Sequence, residues 1–176
     1  MKPIKSIIFL LLLMVQPLTA WSFNLSPQKL PFAIPDAGFT SQSKQHSLAE
    51  YKGHKVMLWL FSTWCHTCVA GVKAMQKKQA VWKKTGMVII ALRNFNNGGY
   101  PGVDMPTFMQ RFAPRLKNLD NWITGEASKR MNQDLNQKKF PDIYFLIDEK
   151  GWVRAVNTAP NISMNLILKF ASGTSQ

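Results

Sequence analysis

Two cysteines, Cys65 and Cys68, are all that the sequence contains. That scarcity excludes a disulfide-stapled scaffold, in which several bridges stand in for a core. It also removes a structural zinc centre, because no second Cys-x-x-Cys and no His-x₃₋₅-His completes one. Haem attachment needs histidine directly after the second cysteine, and Val69 stands there. Acidic residues are scarce too: nine against 22 lysines and arginines, a formal charge of +13. Such an excess suits nucleic acid, an anionic membrane surface or acidic partners. No nucleic-acid motif or long basic run accompanies it, so no nucleic-acid partner is expected. Lys77-Lys78, Lys83-Lys84 and Lys138-Lys139 read as solvated faces. There are no internal repeats and no low-complexity tracts. With 176 residues, 46% of them hydrophobic, the chain can bury a core of its own.

Long apolar runs are missing as well. The first, Ile7 to Val15, is too short to span a bilayer comfortably. It follows Lys2 and Lys5, is broken by Gln16-Pro17, and precedes small-residue sites at Leu18-Thr19-Ala20 and Ala20-Trp21-Ser22. Residues 1–22 are therefore expected to be a signal peptide, with an uncleaved anchor as the alternative. No cysteine follows to carry a lipid. The domain, residues 23–176, is expected in the periplasm or its equivalent, where two cysteines can pair stably. Its charge is then 13 − 2 = +11.

What the chain does have is a joint at Phe61-Ser62-Thr63-Trp64-Cys65-His66-Thr67-Cys68. The apolar run Val56 to Phe61 enters it and a segment with helical potential, to about Lys84, leaves it. Unpaired N–H groups and the positive end of the helix dipole there favour a thiolate at Cys65. Cys68, one turn on, is close enough to close a disulfide, so the spacing suits reversible dithiol chemistry. A purely structural disulfide is the plainer alternative, although so short a loop removes little unfolded-state entropy. Cys65 is expected to attack and Cys68 to resolve. His66, when protonated, would stabilise the Cys65 thiolate; alternatively it simply faces solvent. Trp64 is either a hydrophobic platform beside the pair or plain core.

The other elements follow from periodicity and punctuation. Phe39 to His46 suggests a hairpin, and Ser47-Leu48-Ala49-Glu50 has capping-box spacing. Val56–Phe61 and Met87–Leu92 read as strands covered on both faces. Gly71, inside the helix between them, costs up to about 1 kcal/mol unless close packing needs it. The loop Asn94 to Asp104 leaves the second strand on the cysteine side and is a candidate wall of the site. Met105–Phe112 is a helix candidate, Trp122–Thr124 a strand, and Gly125–Asn136 a further helix. Asp142–Ile147 and Trp152–Val156 form a hairpin through Asp148-Glu149-Lys150-Gly151. Asn161 is expected to cap a last helix, Ile162 to about Ala171.

From Ile34 to Phe170 the chain resembles extracytoplasmic thioredoxin-fold oxidoreductases of the TlpA/ResA type. Ser47 to Val56 is similar to that family's entry segment, and Leu60 to Cys68 to its Trp-Cys-x-x-Cys segment. Phe140 to Asp148 resembles its Pro-Thr-Thr strand, and Lys150-Gly151-Trp152-Val153 the turn after it. The resemblance implies an α/β, thioredoxin-like fold: a central mixed sheet flanked by helices, with an N-terminal extension. It implies a cis Pro141 facing the disulfide, with Phe140 presenting its backbone to a client and its bulk narrowing the groove. It implies protein thiols and disulfides as substrates rather than small molecules, a membrane electron donor or acceptor, and no cofactor or metal. The chain departs from the pattern at three places. Thr67 replaces a proline, Trp59 a buried acid, and Gly71 a glutamate; such acids move protons to and from the resolving thiol. A copper-binding redox chaperone using Cys65, Cys68 and a third ligand is the alternative. A peroxidase is disfavoured, because Ser62 fits but Leu58 stands where its proline should be.

Overall fold

The computed structural model describes residues 29–173, so the expected signal peptide lies outside the described residues. The organising strand is β4 (Val56–Phe61), every residue of which is buried. Six apolar residues without alternation demand cover on both faces, and the fold supplies it. β4 pairs in parallel with β5 (Val88–Arg93) and antiparallel with β7 (Asp142–Ile147). β6 (Trp122–Ala127) runs parallel beside β5. The hairpin of β2 (Gly38–Ser41) and β3 (Lys44–Ser47) closes one edge, and β8 (Trp152–Asn157) with β1 (Phe32–Ala33) the other. The eight strands lie in the order β1-β8-β7-β4-β5-β6-β2-β3.

Alternate residues of β4 feed two cores. Met57, Trp59 and Phe61 face α1 (His66–Lys77), α3 (Met105–Phe112) and α5 (Met164–Ser172), through Val72, Met75, Phe108 and Ile167. Val56, Leu58 and Leu60 face α4 (Lys129–Leu135) and the hairpin, through Met131, Leu135 and Phe39. Ser47 and Glu50 form the expected capping box, opening a 3₁₀ turn at Leu48–Tyr51. Each core is a layer of helices or turns on one face of a mixed sheet, which puts the loops after β4 and β5 at one rim.

Three boundaries differ from the sequence expectation. The helix after Cys65 is not continuous to Lys84: it breaks at Lys78, and α2 (Gln79–Thr85) follows. The cause is Trp82, fully buried, whose indole N–H donates to the Met75 carbonyl at 2.8 Å. That carbonyl also takes the Lys78 N–H at 3.0 Å, so the normal bond from Gln79 is displaced. Gly125 to Ala127 belong to β6 rather than to a helix, with Gly125 packed on the Thr40 carbonyl of β2. Ser128 then caps α4. The last helix starts at Met164, not Ile162, and Asn161 does not cap it. The Ala159 carbonyl takes the N–H groups of Ile162 and Ser163 in a preceding turn, and Ser163 Oγ accepts the Tyr144 hydroxyl at 2.7 Å.

Candidate active site

The site begins where β4 ends. Ser62 N–H donates to the Pro141 carbonyl at 2.9 Å, and Cys65 N–H to the Ser62 carbonyl at 3.1 Å. These bonds turn the chain so that Cys65 becomes the N-cap of α1, at φ −81° and ψ 120°. Its Sγ accepts the Cys68 N–H at 3.3 Å, the place a serine or aspartate oxygen takes in an ordinary cap. Cys65 and Cys68 are joined as a disulfide, with Cα atoms 5.3 Å apart. Cys65 is 5% exposed and Cys68 not at all. Cys68 Sγ lies 3.4 Å from the Pro141 carbonyl, where the reduced thiol would donate to it.

A carboxylate that sequence reasoning passed over sits against this pair. Asp142, the first residue of β7, is buried, and one of its oxygens and the two sulfurs all lie within 4.8 Å of one another. Trp59 Nε1 donates to Oδ1 at 2.8 Å; Thr67 Oγ1 and Ala159 N–H donate to Oδ2 at 3.3 and 3.2 Å. Ala159 holds φ at 49°, a left-handed backbone that is costly for alanine. Burial pushes the Asp142 carboxyl above its usual range, against the pull of those three bonds. Two of the family departures become one arrangement here. A Cβ on Gly71 would fall 2.8 and 2.9 Å from Trp59 Cη2 and Cζ2, so the indole occupies the space and only glycine fits beside it. The same indole donates to the Asp142 carboxylate, so this chain carries its buried acid on β7. The available signal was a single charge opening an otherwise apolar strand directly after Phe140-Pro141.

Asparagines form the floor. Asn97 Oδ1 accepts the Thr63 N–H at 2.8 Å, and Thr63 Oγ1 donates to the Val103 carbonyl at 2.7 Å, which ties the loop after β5 to the cysteine turn. Gly102 passes so close to Asn97 and Thr63 that no side chain fits there. Asn94 reaches Ser62 Oγ at 3.1 Å and accepts from Asn132 and Asn136. A cavity of about 550 Å³ shares Asn94, Asn136 and Phe140 with this floor. The expectation that the loop from Asn94 walls the site therefore holds.

The remaining expected residues divide. Trp64 is a partly exposed platform rather than core: its Nε1 donates to the Asn97 carbonyl at 2.8 Å and its ring meets Tyr100 edge-on, centroids 5.0 Å apart. His66 and Thr67 lie on the exposed side of the first turn of α1, with the Thr67 hydroxyl 3.0 Å from Cys65 Sγ. Pro141 does face the disulfide, but its peptide bond is not cis; among the described residues the one cis bond is Leu30–Pro31. Phe140 does not offer its backbone to a client either. Its N–H donates to Asn136 Oδ1 at 2.8 Å, and its carbonyl accepts from Asn136 and Asn94 at 2.8 and 3.3 Å. Those asparagines hold the segment in place, with Lys139 at φ 54° before it. The Phe140 ring remains exposed.

Among the described residues the one cluster of three His, Cys, Asp or Glu groups at ligating distance is Cys65, Cys68 and Asp142. It contains no histidine. Its third donor is an oxygen of a hard carboxylate whose two oxygens already accept three hydrogen bonds between them, a poor match to soft Cu(I), so this set does not fit the copper alternative.

Residues 29–167 match the Redoxin family. The chain belongs to that family. It is 27% identical over 161 residues to thiol-disulfide oxidoreductase ResA of Geobacillus thermodenitrificans, covering 88% of this chain and 85% of the relative. It is 26% identical over 155 residues to thioredoxin-like protein YneN of Bacillus subtilis, covering 84% and 86%. A thiol:disulfide interchange protein of the thioredoxin family from Chlorobium tepidum superposes with a TM-score of 0.61 at 19% identity, over 82% of this chain and 99% of that one. The thioredoxin-like fold and the ResA-like resemblance are thereby established for this redoxin.

Proposed function

We propose that this redoxin is a thiol–disulfide oxidoreductase that reduces protein disulfides outside the cytoplasm. The observation that carries the chemistry is the Cys65–Cys68 disulfide at the start of α1, with a helix N–H directed at Cys65 Sγ. Cys65, the sulfur that a client can reach, attacks a client disulfide and forms a mixed disulfide. Cys68 then attacks Cys65 Sγ, releases the reduced client and closes the internal bond. Trp64, Tyr100 and the Phe140 ring, all exposed around the pair, supply the client's footing. The reducing direction is supported by Asp142. A strong oxidant needs a stabilised thiolate, and a carboxylate within 4.8 Å of both sulfurs opposes one. Export is supported by Lys2, Lys5 and the apolar run Ile7 to Val15, which read as a removable signal over residues 1–22. Among the described residues, no helix is long and apolar enough to cross a membrane.

The test is a trapping experiment. Cys68→Ser should accumulate mixed disulfides, seen as extra bands on a non-reducing gel of a cell-envelope extract, and Cys65→Ser almost none. Bands from Cys65→Ser alone would reverse the roles, and bands from neither would leave the disulfide merely structural. A potential near about −270 mV supports the reducing direction, and one near about −120 mV an oxidase.

A further inference from the structure

We propose that the Thr67 hydroxyl is a proton relay, passing the Cys65 thiol proton to the buried Asp142 carboxylate. The inference rests on Cys65 being the attacking sulfur. Its basis is one oxygen in contact with two groups: Thr67 Oγ1 lies 3.0 Å from Cys65 Sγ and 3.3 Å from Asp142 Oδ2. A hydroxyl both accepts and donates, so it can complete such a chain; the proline usual at this position in the resembling family cannot. In the reduced protein Cys65 S–H donates to Thr67, and Thr67 O–H donates to the carboxylate. Moving one proton along each bond leaves a Cys65 thiolate, an intact hydroxyl with its hydrogen turned toward sulfur, and a neutral Asp142. The negative charge moves from oxygen to sulfur, and no group other than these three is needed.

The rest of the cycle then balances. The thiolate attacks a client disulfide, whose S–S bond breaks; the leaving sulfur departs as thiolate and is protonated from solvent, to which Asp142 releases its proton. Cys68 gives its proton to solvent and attacks Cys65 Sγ; the Cys65–client S–S bond breaks, and the second client sulfur leaves as a thiolate that takes a proton from solvent as the enzyme disulfide forms. Two electrons and two protons pass to the client, and in the opposite direction every step reverses.

Asp142 suits the acceptor role for physical reasons. Its burial favours the neutral acid, while donors from Trp59, Thr67 and Ala159 favour the carboxylate, so the two forms are brought closer in energy than in water. The titratable groups facing it are Cys65 and Cys68 from α1 and Tyr144 from its own strand; among the described residues, no lysine, arginine or histidine charge acts on its carboxyl. His66, next to Cys65, is exposed. The three departures from the family therefore meet on one route: Gly71 leaves room for the Trp59 indole, the indole donates to Asp142, and Thr67 connects Asp142 to sulfur.

The test uses the reduced protein carrying Cys68→Ser, in which Cys65 is the one thiol. A laser temperature jump in dilute buffer, near the midpoint of the thiol titration, is followed by the ultraviolet absorbance of the thiolate on the microsecond scale. Thr67→Val and Asp142→Asn should each slow thiolate formation at least roughly tenfold, less than the hundredfold usual for a general base because a thiol is already a fair acid. Thr67→Ser should keep the parental rate, and Thr67→Val with Asp142→Asn should be no slower than the slower single variant. An unchanged rate in Thr67→Val overturns the relay, as does a slow Thr67→Ser or two effects that multiply. Because no client takes part, the outcome separates from the trapping experiment. Slowed thiolate formation without trapped partners leaves the relay standing and removes the protein-reductase reading. Trapped partners with unchanged rates do the reverse.

Discussion

Replacing Gly71 with alanine tests its packing against the Trp59 ring. In a helix interior the exchange ordinarily stabilises by about 1 kcal/mol, because glycine loses more backbone freedom on folding. Here the new Cβ would lie 2.8 and 2.9 Å from two carbons of the Trp59 ring, with Pro160 Cδ at 3.4 Å beyond. The ring is fully buried on the central strand and its N–H is fixed to Asp142, so it cannot swing away freely. Overpacking of this kind costs roughly 1–3 kcal/mol, and two rigid contacts argue for the upper half of that range. The net expectation is a loss of about 1–2 kcal/mol, or a melting temperature lower by roughly 2–8 °C for a domain of this size. Guanidinium unfolding of the oxidised protein should show a lower midpoint with an unchanged slope. Adding Trp59→Phe, which removes both offending carbons, should recover part of that loss, giving a coupling above about 0.5 kcal/mol in a double-mutant cycle. A stabilisation of Gly71→Ala by the full helix increment would show that the ring has room.

Three shorter predictions concern the rest of the site. Asp142 has a folded-state affinity for protons above the unfolded one, so its ionisation costs stability as pH rises through its raised value, and the cost disappears below the ordinary value of 3.8. The melting-temperature difference between Asp142→Asn and the parent should therefore move in favour of the variant from pH 3 to pH 7; a flat difference would refute the assigned direction. Asn97→Ala leaves the buried Thr63 N–H without its acceptor and should cost about 1–3 kcal/mol, read by thermal denaturation, with faster proteolysis of the 94–104 loop. Phe140→Ala should weaken turnover of protein disulfides several-fold while leaving reduction of the enzyme disulfide by dithiothreitol unchanged, because under the proposed function the exposed ring is footing for a client and has no part in the sulfur chemistry.

The sequence showed the cysteine joint and the two central strands because their signals are local. Six apolar residues running into Cys-x-x-Cys admit few arrangements, and Ser47 with Glu50 announces its own cap. The missed boundaries all depend on distant partners. Lys78 reads as helix until Trp82 takes the Met75 carbonyl, and Gly125 reads as a helix start until β2 closes on it. In the site, Trp59 and Gly71 were visible as two unrelated departures, and only their contact shows them to be one arrangement. Asp142 was hidden because proximity to sulfur across 74 and 77 positions of chain, 142 − 68 and 142 − 65, leaves no trace in spacing. The resemblance misled at Phe140-Pro141, since the asparagines that fix that backbone, Asn94 and Asn136, stand just after β5 and just after α4.

Those asparagines bear on which proteins the enzyme can serve. A client laid along the groove as an added strand would draw affinity from main-chain hydrogen bonds, which are the same for every sequence. Phe140 has neither its N–H nor its carbonyl to spare for that pairing. Under the proposed function, recognition then falls to the exposed aromatic rings of Trp64, Tyr100 and Phe140, which would sense side-chain composition rather than extended shape. The enzyme should discriminate among cysteines by their neighbours, favouring a narrow set of targets over general service to unfolded chains.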